Sequence, residues 1–169
     1  EMSNFYLDVI KDRLYCDGRD SLSRRSAQTA IYLVLDAITR LLAPVLCFTA
    51  DEIWLAMPHT ADEDGRAVAL NDMPAPNAAL ALTPEEEAHW SKVMRVRADV
   101  NKALELARAE KLIGKPLDAR VTLYVSESAA GPFAELESED LAPLCIVSEL
   151  KIVHGAGEGV RGENFDGLT

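Results

Sequence analysis

Apolar residues in the first quarter of the chain recur at spacings of three and four, which is the period of one helical face. The first such stripe predicts a helix over about residues 4–16, and it consists of Leu7, Ile10 and Leu14. The second stripe predicts a longer helix over about 23–42, and it consists of Ile31, Val34, Leu35, Ile38, Leu41 and Leu42. A helix with such an apolar face is not stable alone in water, so this helix must pack against other elements.

Prolines mark the limits of the next elements. Pro44 lacks an amide hydrogen and clashes with the preceding turn, so it interrupts the helical pattern. A short helix is then predicted to end at Met57, with Thr49 and Glu52 placed to form a capping box at its start. Residues 58–82 contain three prolines and an acidic run, and they predict a long surface connection.

The longest predicted helix runs from Pro84 to about residue 112. Thr83 can cap its start, and proline suits the first helical position. Gly114 follows its end, where glycine is favoured. Its buried seam steps by three and four through Val93, Val96, Val100, Ala103 and Ala107.

Past this helix, the helical spacing gives way to alternation. Val121, Leu123 and Val125 alternate with polar residues, which predicts a half-buried strand. Residues 132–147 predict one or two short helices, and residues 149–153 predict a second strand. The last residues are rich in glycine and polar side chains, a composition typical of poorly ordered chain.

These elements predict a mainly α fold with a small α/β appendage. A helical bundle is expected over 1–115, with 58–82 as its long connection. A small α/β subdomain is expected over 116–154, and a flexible tail over 155–169. A chain of 169 residues is long enough for one domain with such an appendage.

The charge of the chain is acidic but unevenly distributed. Acidic residues outnumber basic ones by 28 to 17, and the formal net charge of −11 argues against a chain coated for nucleic acid. Residues 91–120 nevertheless hold eight bases and four acids, whereas residues 61–90 hold one base and seven acids. Residues 11–30 hold five bases interleaved with acids. A surface for a polyanion is therefore expected on 91–120 or in the opening basic stretch.

Cysteine and histidine give no sign of a metal site. The cysteines lie far apart without a CxxC pair, and we expect buried free thiols at Cys16, Cys47 and Cys145. The histidines have no ligand partner at a metal-binding spacing, and we expect surface or packing roles for His59, His89 and His154. No apolar run reaches the roughly 18 residues that a membrane span needs.

Several separated blocks resemble one protein family. NFYLDVIKDRLYCD, RRSAQTA and LLAPVLCFTADEIW resemble the anticodon-binding helical domain of class I aminoacyl-tRNA synthetases for branched aliphatic amino acids. VRADVNKALELARAEKLIGKPLDARVTLYV and LCIVSELKIV resemble the isoleucyl-tRNA synthetases more than their valyl, leucyl or methionyl relatives. The resemblance covers about residues 3–153 in the same order.

The resemblance implies a cytoplasmic parent enzyme, expected to be a monomer, that joins isoleucine to its tRNA with ATP and Mg²⁺ and edits mischarged valine in a separate domain. The HIGH-type and KMSKS-type motifs that hold ATP have no counterpart here, so the chain itself is expected to be catalytically inactive and free of cofactors. Many bacterial members of this family carry a Cys-rich zinc module after the last block, but residues 151–169 contain no cysteine, so either the module lies outside this chain or the parent lacks one. The chain begins with Glu1 rather than Met, which suggests a piece of a longer protein.

The implied partners are the anticodon stem-loop of isoleucine tRNA and the missing catalytic and editing domains. A tRNA surface needs cations that can meet phosphates. The candidates are Arg24, Arg25, Arg95, Arg97, Lys102, Arg108 and Lys111. The alternative is that the long helix presents only a solvated face or packs on a missing domain. Another alternative is that Arg24 or Arg25 pairs with Asp12 and clamps the first two helices.

Other readings stay open from the sequence alone. Trp54 and Trp90 follow apolar helical stripes and are expected in the core, although an exposed Trp could stack on a base. The acidic charge is compatible with a helical protein-interaction module that binds no nucleic acid. A third reading keeps the enzyme family but changes the amino acid to valine.

Overall fold

The computed structural model describes residues 2–137 and 140–169, and the chain divides into two compact units. One unit is residues 10–81, and the other combines residues up to Val9 with residues 82–169. The predicted boundary near residue 115 differs from this division, because the long helix belongs with the α/β part. The architecture is mainly α with a small two-stranded sheet, as the sequence predicts.

The unit of residues 10–81 is helical. Its helices are α2 (Lys11–Tyr15), α3 (Leu22–Leu42) and α4 (Cys47–Ala56). The predicted helix over 23–42 is confirmed as α3, whose first turn is capped by the Ser21 hydroxyl accepting from the Arg24 amide at 3.2 Å. The connection that follows α4 contains two short 3₁₀ turns, Val68–Leu70 and Ala78–Leu80.

Two details of this unit depart from the sequence prediction. The helix predicted over 4–16 is interrupted: Met2–Tyr6 is a π-helical turn, Leu7–Val9 forms α1, and α2 begins after Ile10. The interruption falls where the chain passes from one compact unit to the other, so its two parts pack separately. In α4, Thr49 lies inside the helix rather than at its cap, because the helix already begins at Cys47.

Arg40 joins α3 to the connection. Its guanidinium donates to the carboxylates of Asp36 (2.8 Å) and Glu63, and to the main-chain oxygen of Asp72 (3.1 Å). It also lies 4.9 Å from the centre of the Trp54 ring. The side chains of Arg40 and Glu63 are only 14% and 12% exposed, so this ion pair is largely removed from water.

Replacing Glu63 with glutamine tests this junction. Glu63 also accepts from the Thr60 amide at 2.7 Å, a hydrogen bond that lowers the pKa of its carboxyl. Neutralising it leaves the Arg40 charge partly unpaired, and we expect the free energy of unfolding to fall by about 1–2 kcal/mol. Urea unfolding followed by circular dichroism measures the change. Glu52→Gln on the exposed side of α4 is the control, and an equal loss in both variants would contradict the assignment.

The other unit is built on the long helix α5 (Pro84–Ala109). A capping box starts it: Thr83 accepts from the Glu86 amide at 3.3 Å, and the Glu86 carboxylate accepts from the Thr83 amide at 2.8 Å. The remaining elements are β1 (Arg120–Val125), α6 (Glu127–Ala134), α7 (Leu141–Cys145) and β2 (Glu149–His154). A 3₁₀ turn, Pro116–Asp118, leads into β1.

The two strands are parallel, with Leu123 opposite Ile152. Parallel neighbours need a crossover connection, and α6 and α7 supply it. The main core lies where α5, β1 and this crossover meet. Its buried members include Val93, Val96, Val100, Leu104, Leu123, Val125, Phe133, Leu136, Leu141 and Leu144.

The tail predicted to be flexible over 155–169 instead packs on this core. Phe165 and Leu168 are 4% and 2% exposed, and the amide and carbonyl of Thr169 pair with the main chain of Tyr124 at 3.1 and 2.9 Å. Its glycines permit close approach: a Cβ on Gly162 would lie 2.8 Å from the Asp99 carboxylate. Glycine content therefore indicated tight packing here rather than disorder.

Candidate nucleic-acid interface

Two of the predicted tRNA-binding residues on α5 hold the tail of their own unit. Arg95 donates to the main-chain oxygen of Asn164, and its guanidinium lies 5.4 Å from the centre of the Phe165 ring. Lys102 forms an ion pair with Glu163 at 2.5 Å. The Arg95 side chain thus has a structural role, while the Lys102 pair is more open, with side chains 39% and 69% exposed. An RNA phosphate would have to compete with these contacts.

Two further predicted residues on the opposite flank of α5 are also engaged. Arg97 donates to the main-chain oxygen of Leu144 at 3.0 Å and lies 4.6 Å from the centre of the Phe5 ring. Arg108 forms an ion pair with Glu105 at 2.6 Å, one helical turn away. The Arg108 pair is more open than the Arg97 contact, because its side chains are 40% and 66% exposed.

Lys111 differs from the predicted residues on α5, because its side chain is not engaged in a polar contact with the described residues. It follows the end of α5 with a left-handed backbone, at a φ of 60°, and its side chain is exposed. Its amide donates to the Arg108 oxygen at 3.0 Å, but within the described part of the chain its side chain has no hydrogen bond or ion pair. Lys92, in the first half of α5, by contrast pairs with Glu135 at 2.5 Å.

The remaining predicted residues, Arg24 and Arg25, lie together at the start of α3. They border a groove of about 550 Å³ that lies entirely within the unit of residues 10–81. The groove is lined by Arg19, Asp20, Arg24, Arg25, Gln28, Thr29, Tyr32 and Pro58. Three arginines face one carboxylate here, so the lining carries a formal excess of two positive charges.

Arg19 is the residue of this groove that the sequence prediction missed. It precedes α3 and is carried back toward the helix by a turn, in which the Ser21 amide donates to the Gly18 oxygen at 3.0 Å. The Asp17-Gly18 turn signal was visible in the sequence and could have placed Arg19 beside Arg24.

Two of the groove arginines, Arg19 and Arg25, are held less firmly than Arg95 and Arg97 of α5. Arg25 pairs with Asp20 at 3.6 Å, with side chains 66% and 82% exposed. Arg24 uses one guanidinium nitrogen to donate to the main-chain oxygen of Asp17 at 3.2 Å. Arg19 is exposed and has no partner among the residues described. The predicted pairing of Arg24 or Arg25 with Asp12 is wrong. The contact that Arg24 makes is with a main-chain carbonyl, which lies nearer along the chain.

Tyr32 forms the far end of the groove. Its hydroxyl donates to the Glu63 carboxylate at 3.4 Å. Burial, together with the negative charges of Glu63 and Asp36, raises the pKa of Tyr32, so its hydroxyl stays protonated near neutral pH. Glu63 is in turn neutralised by Arg40, which limits the repulsion an anion would meet at this end.

The two tryptophans differ. Trp54 is fully buried, as predicted, and its indole nitrogen donates to the main-chain oxygen of Asp64 at 3.0 Å. Trp90 was expected in the core but is 40% exposed, because it lies outside the seam that α5 turns toward the sheet. Tyr15 is also exposed, at 81%.

The thiols depart from prediction in the same way. Cys145 is buried, and its burial raises the pKa of the thiol to about 11. Cys16 and Cys47 are exposed, so only one of the three predicted burials is correct. Across residues 2–137 and 140–169, no three His, Cys, Asp or Glu side chains are grouped so that they could hold a metal ion. Nor does any described helix combine the length and apolar character needed to cross a membrane.

Comparison with known proteins places these features in context. Residues 1–123 match the family described as the anticodon-binding domain of tRNA ligase. The isoleucine–tRNA ligase of Syntrophotalea carbinolica is 48% identical over 168 residues, which are 99% of this chain and 18% of that protein. That of Desulfotalea psychrophila is 42% identical, with 99% and 18% covered, and that of Shouchella clausii is 45% identical, with 94% and 16% covered.

The chain therefore spans less than a fifth of the length of these curated relatives. The family match extends through both compact units, from the first helical turns to β1. Because that match covers well over half of the sequence, the chain belongs to the family of anticodon-binding domains of tRNA ligases.

Proposed function

We propose that this chain is the part of an isoleucine–tRNA ligase that binds the anticodon stem-loop of isoleucine tRNA. The observation that carries the proposal is similarity to isoleucine–tRNA ligases along 99% of the chain, within a family of anticodon-binding domains. The valine alternative and the protein-interaction module are not favoured by these similarities. Binding here would position the tRNA so that its acceptor end reaches a distant catalytic domain, which is a use of remote binding energy.

We propose that other parts of the parent enzyme carry out the catalysis. The family that the chain matches is an anticodon-binding domain. We therefore assign this chain no step of aminoacylation or editing, and we propose that it is catalytically inactive on its own, with ATP and Mg²⁺ bound by other parts of the parent. Contact with the catalytic and editing domains, the cytoplasmic location and a monomeric state remain predictions.

Binding of a labelled isoleucine-tRNA anticodon stem-loop, followed by fluorescence anisotropy, tests the proposal. We expect saturable binding at low salt and a Kd that rises as salt increases, because phosphate contacts release counterions. A stem-loop with altered anticodon bases is the matched control and should bind more weakly if the bases are read. Absence of binding at both low and moderate salt would contradict the proposal.

A further inference from the structure

The groove at the start of α3 gathers three arginines, of which Arg19 and Arg25 make few contacts with their own unit. Arg95 and Arg97 donate to main-chain oxygens of their own unit, and Lys102 holds Glu163. An anion that bound Arg95 or Arg97 would leave a main-chain oxygen without its donor. In the groove, Arg19 and Arg25 can turn to a ligand without such a loss.

The groove also has the form of a site rather than of scattered charges. Arg24, Gln28 and Tyr32 are spaced by four residues and share one face of α3. The turn before the helix places Arg19 across from them. Asp20 is the one opposing charge in the lining. Its pair with Arg25 is long and exposed, and exposed pairs of this kind contribute little stability.

The chemistry of the lining favours a sugar–phosphate backbone over a base. Arginine binds phosphate oxygens with two parallel hydrogen bonds, and the Gln28 amide offers both a donor and an acceptor for a ribose hydroxyl. Base stacking needs an accessible ring face. The one aromatic ring in the lining is Tyr32, which is half-buried and whose hydroxyl is held by Glu63.

We propose that this groove binds consecutive phosphates of the tRNA stem-loop backbone, with Arg19 and Arg25 as the two mobile phosphate ligands and Arg24 as a fixed one. The proposal rests on the proposed tRNA-binding function and assigns it to the unit of residues 10–81. It places the phosphate contacts in this unit rather than on α5, which lies largely in the most basic segment of the sequence.

The test is a double charge reversal, Arg19→Glu with Arg25→Glu, in the full 169-residue chain. Arg24 is left unchanged because it also holds the Asp17 carbonyl. The matched control reverses two exposed cations of the other unit, Lys115→Glu with Arg161→Glu, and so changes the net charge equally. Both are titrated against the isoleucine-tRNA stem-loop and against an unrelated RNA hairpin over a series of salt concentrations.

We expect the groove variant to raise Kd by roughly tenfold or more for both RNAs alike, because phosphate contacts carry no sequence information. Its slope of log K against log salt should shrink by about 1.4, which corresponds to about 0.7 for each lost contact with single-stranded RNA. The control variant should keep the wild-type slope. A folded neutral pair, Arg19→Gln with Arg25→Gln, provides the same comparison if the charge reversal disturbs folding.

The possible results separate the two proposals. Equal weakening by the groove and control variants, or an unchanged salt slope in the groove variant, overturns the groove assignment while tRNA binding by the chain stands. Loss of binding to the cognate stem-loop alone also overturns it, since that result indicates base contacts. If the wild-type chain binds neither RNA at low salt, the proposed function fails and the groove assignment fails with it.

Discussion

Replacing Asp99 with alanine is expected to release the C-terminal tail and to lower the free energy of unfolding of its unit by about 3 kcal/mol or more. The Asp99 carboxylate is 7% exposed. It accepts from the main-chain amides of Glu163 (2.9 Å), Asn164 (3.0 Å) and Phe165 (2.8 Å), and from the Asn164 side chain (2.7 Å). Alanine would leave these donors unpaired, and hydrogen bonds to a charged group contribute more than neutral ones.

Hydrogen exchange of the peptide covering 155–169 measures this effect directly. We expect its amides to exchange much faster in Asp99→Ala, since the anchoring acceptor is gone. Asp166→Ala is the control, because that side chain is exposed in the same tail. Wild-type protection of the tail in Asp99→Ala would show that Phe165 and Leu168 hold it without the carboxylate.

Because Asp99 anchors the tail as a carboxylate, we expect protection of the tail to depend on pH in acid. Burial raises the pKa of Asp99, but the hydrogen bonds from Asn164, Phe165 and Glu163 outweigh it and leave the pKa below its ordinary value. Because the pKa is lower in the folded state, the ionised carboxylate stabilises the fold at pH values above the unfolded-state pKa of about 3.9. This stabilisation is lost as the pH falls through the folded-state pKa. Tail protection should therefore be constant near neutral pH and decline in acid below about pH 4. This decline should be absent in Asp99→Asn.

The second large effect is expected for Trp54→Ala. Trp54 is fully buried against Ala50 and Val68, and the His59 ring lies 4.5 Å from its own. Removing so large a side chain leaves a cavity and frees the Asp64 oxygen that accepts from its indole nitrogen. We expect the free energy of unfolding of the unit of residues 10–81 to fall by about 3–5 kcal/mol, measured by urea unfolding.

Trp90→Ala provides the matched control, because it removes the same side chain from a position that is 40% exposed. Its cost should be about 1 kcal/mol or less. Comparable losses in the two variants would mean that Trp90 is packed as the sequence predicts. Trp54→Phe keeps most of the packing and removes the hydrogen bond. Its loss in free energy of unfolding should therefore lie between those of Trp90→Ala and Trp54→Ala.

The helices could be predicted because their signals are local. The stripe along α3, the capping box at Thr83 and the glycine after α5 each lie within a few residues of the element they define. The alternation over 121–125 similarly predicted β1. Periodicity and capping are properties of neighbouring residues, so the sequence alone contains them.

The functions of the cations could not be predicted in this way. Arg95 and Arg97 bind main-chain oxygens that lie 69 and 47 residues away. A carbonyl acceptor belongs to every residue, and no side-chain pattern marks the one that will be used. The order of the tail was missed for the same reason. Phe165 and Leu168 reach the core only through long-range contacts, while the glycines around them suggested disorder.

The division of the chain into its two units also bears on the order in which they can form during synthesis. Residues 10–81 are continuous, so the ribosome delivers every part of their core before α5 begins. Phe5 belongs to the other unit, and its partner Arg97 is added only later. At about 5–20 residues per second, that delay is on the order of 5 to 20 seconds. Phe5 therefore lacks its contact with Arg97 during the whole time in which residues 10–81 are synthesised.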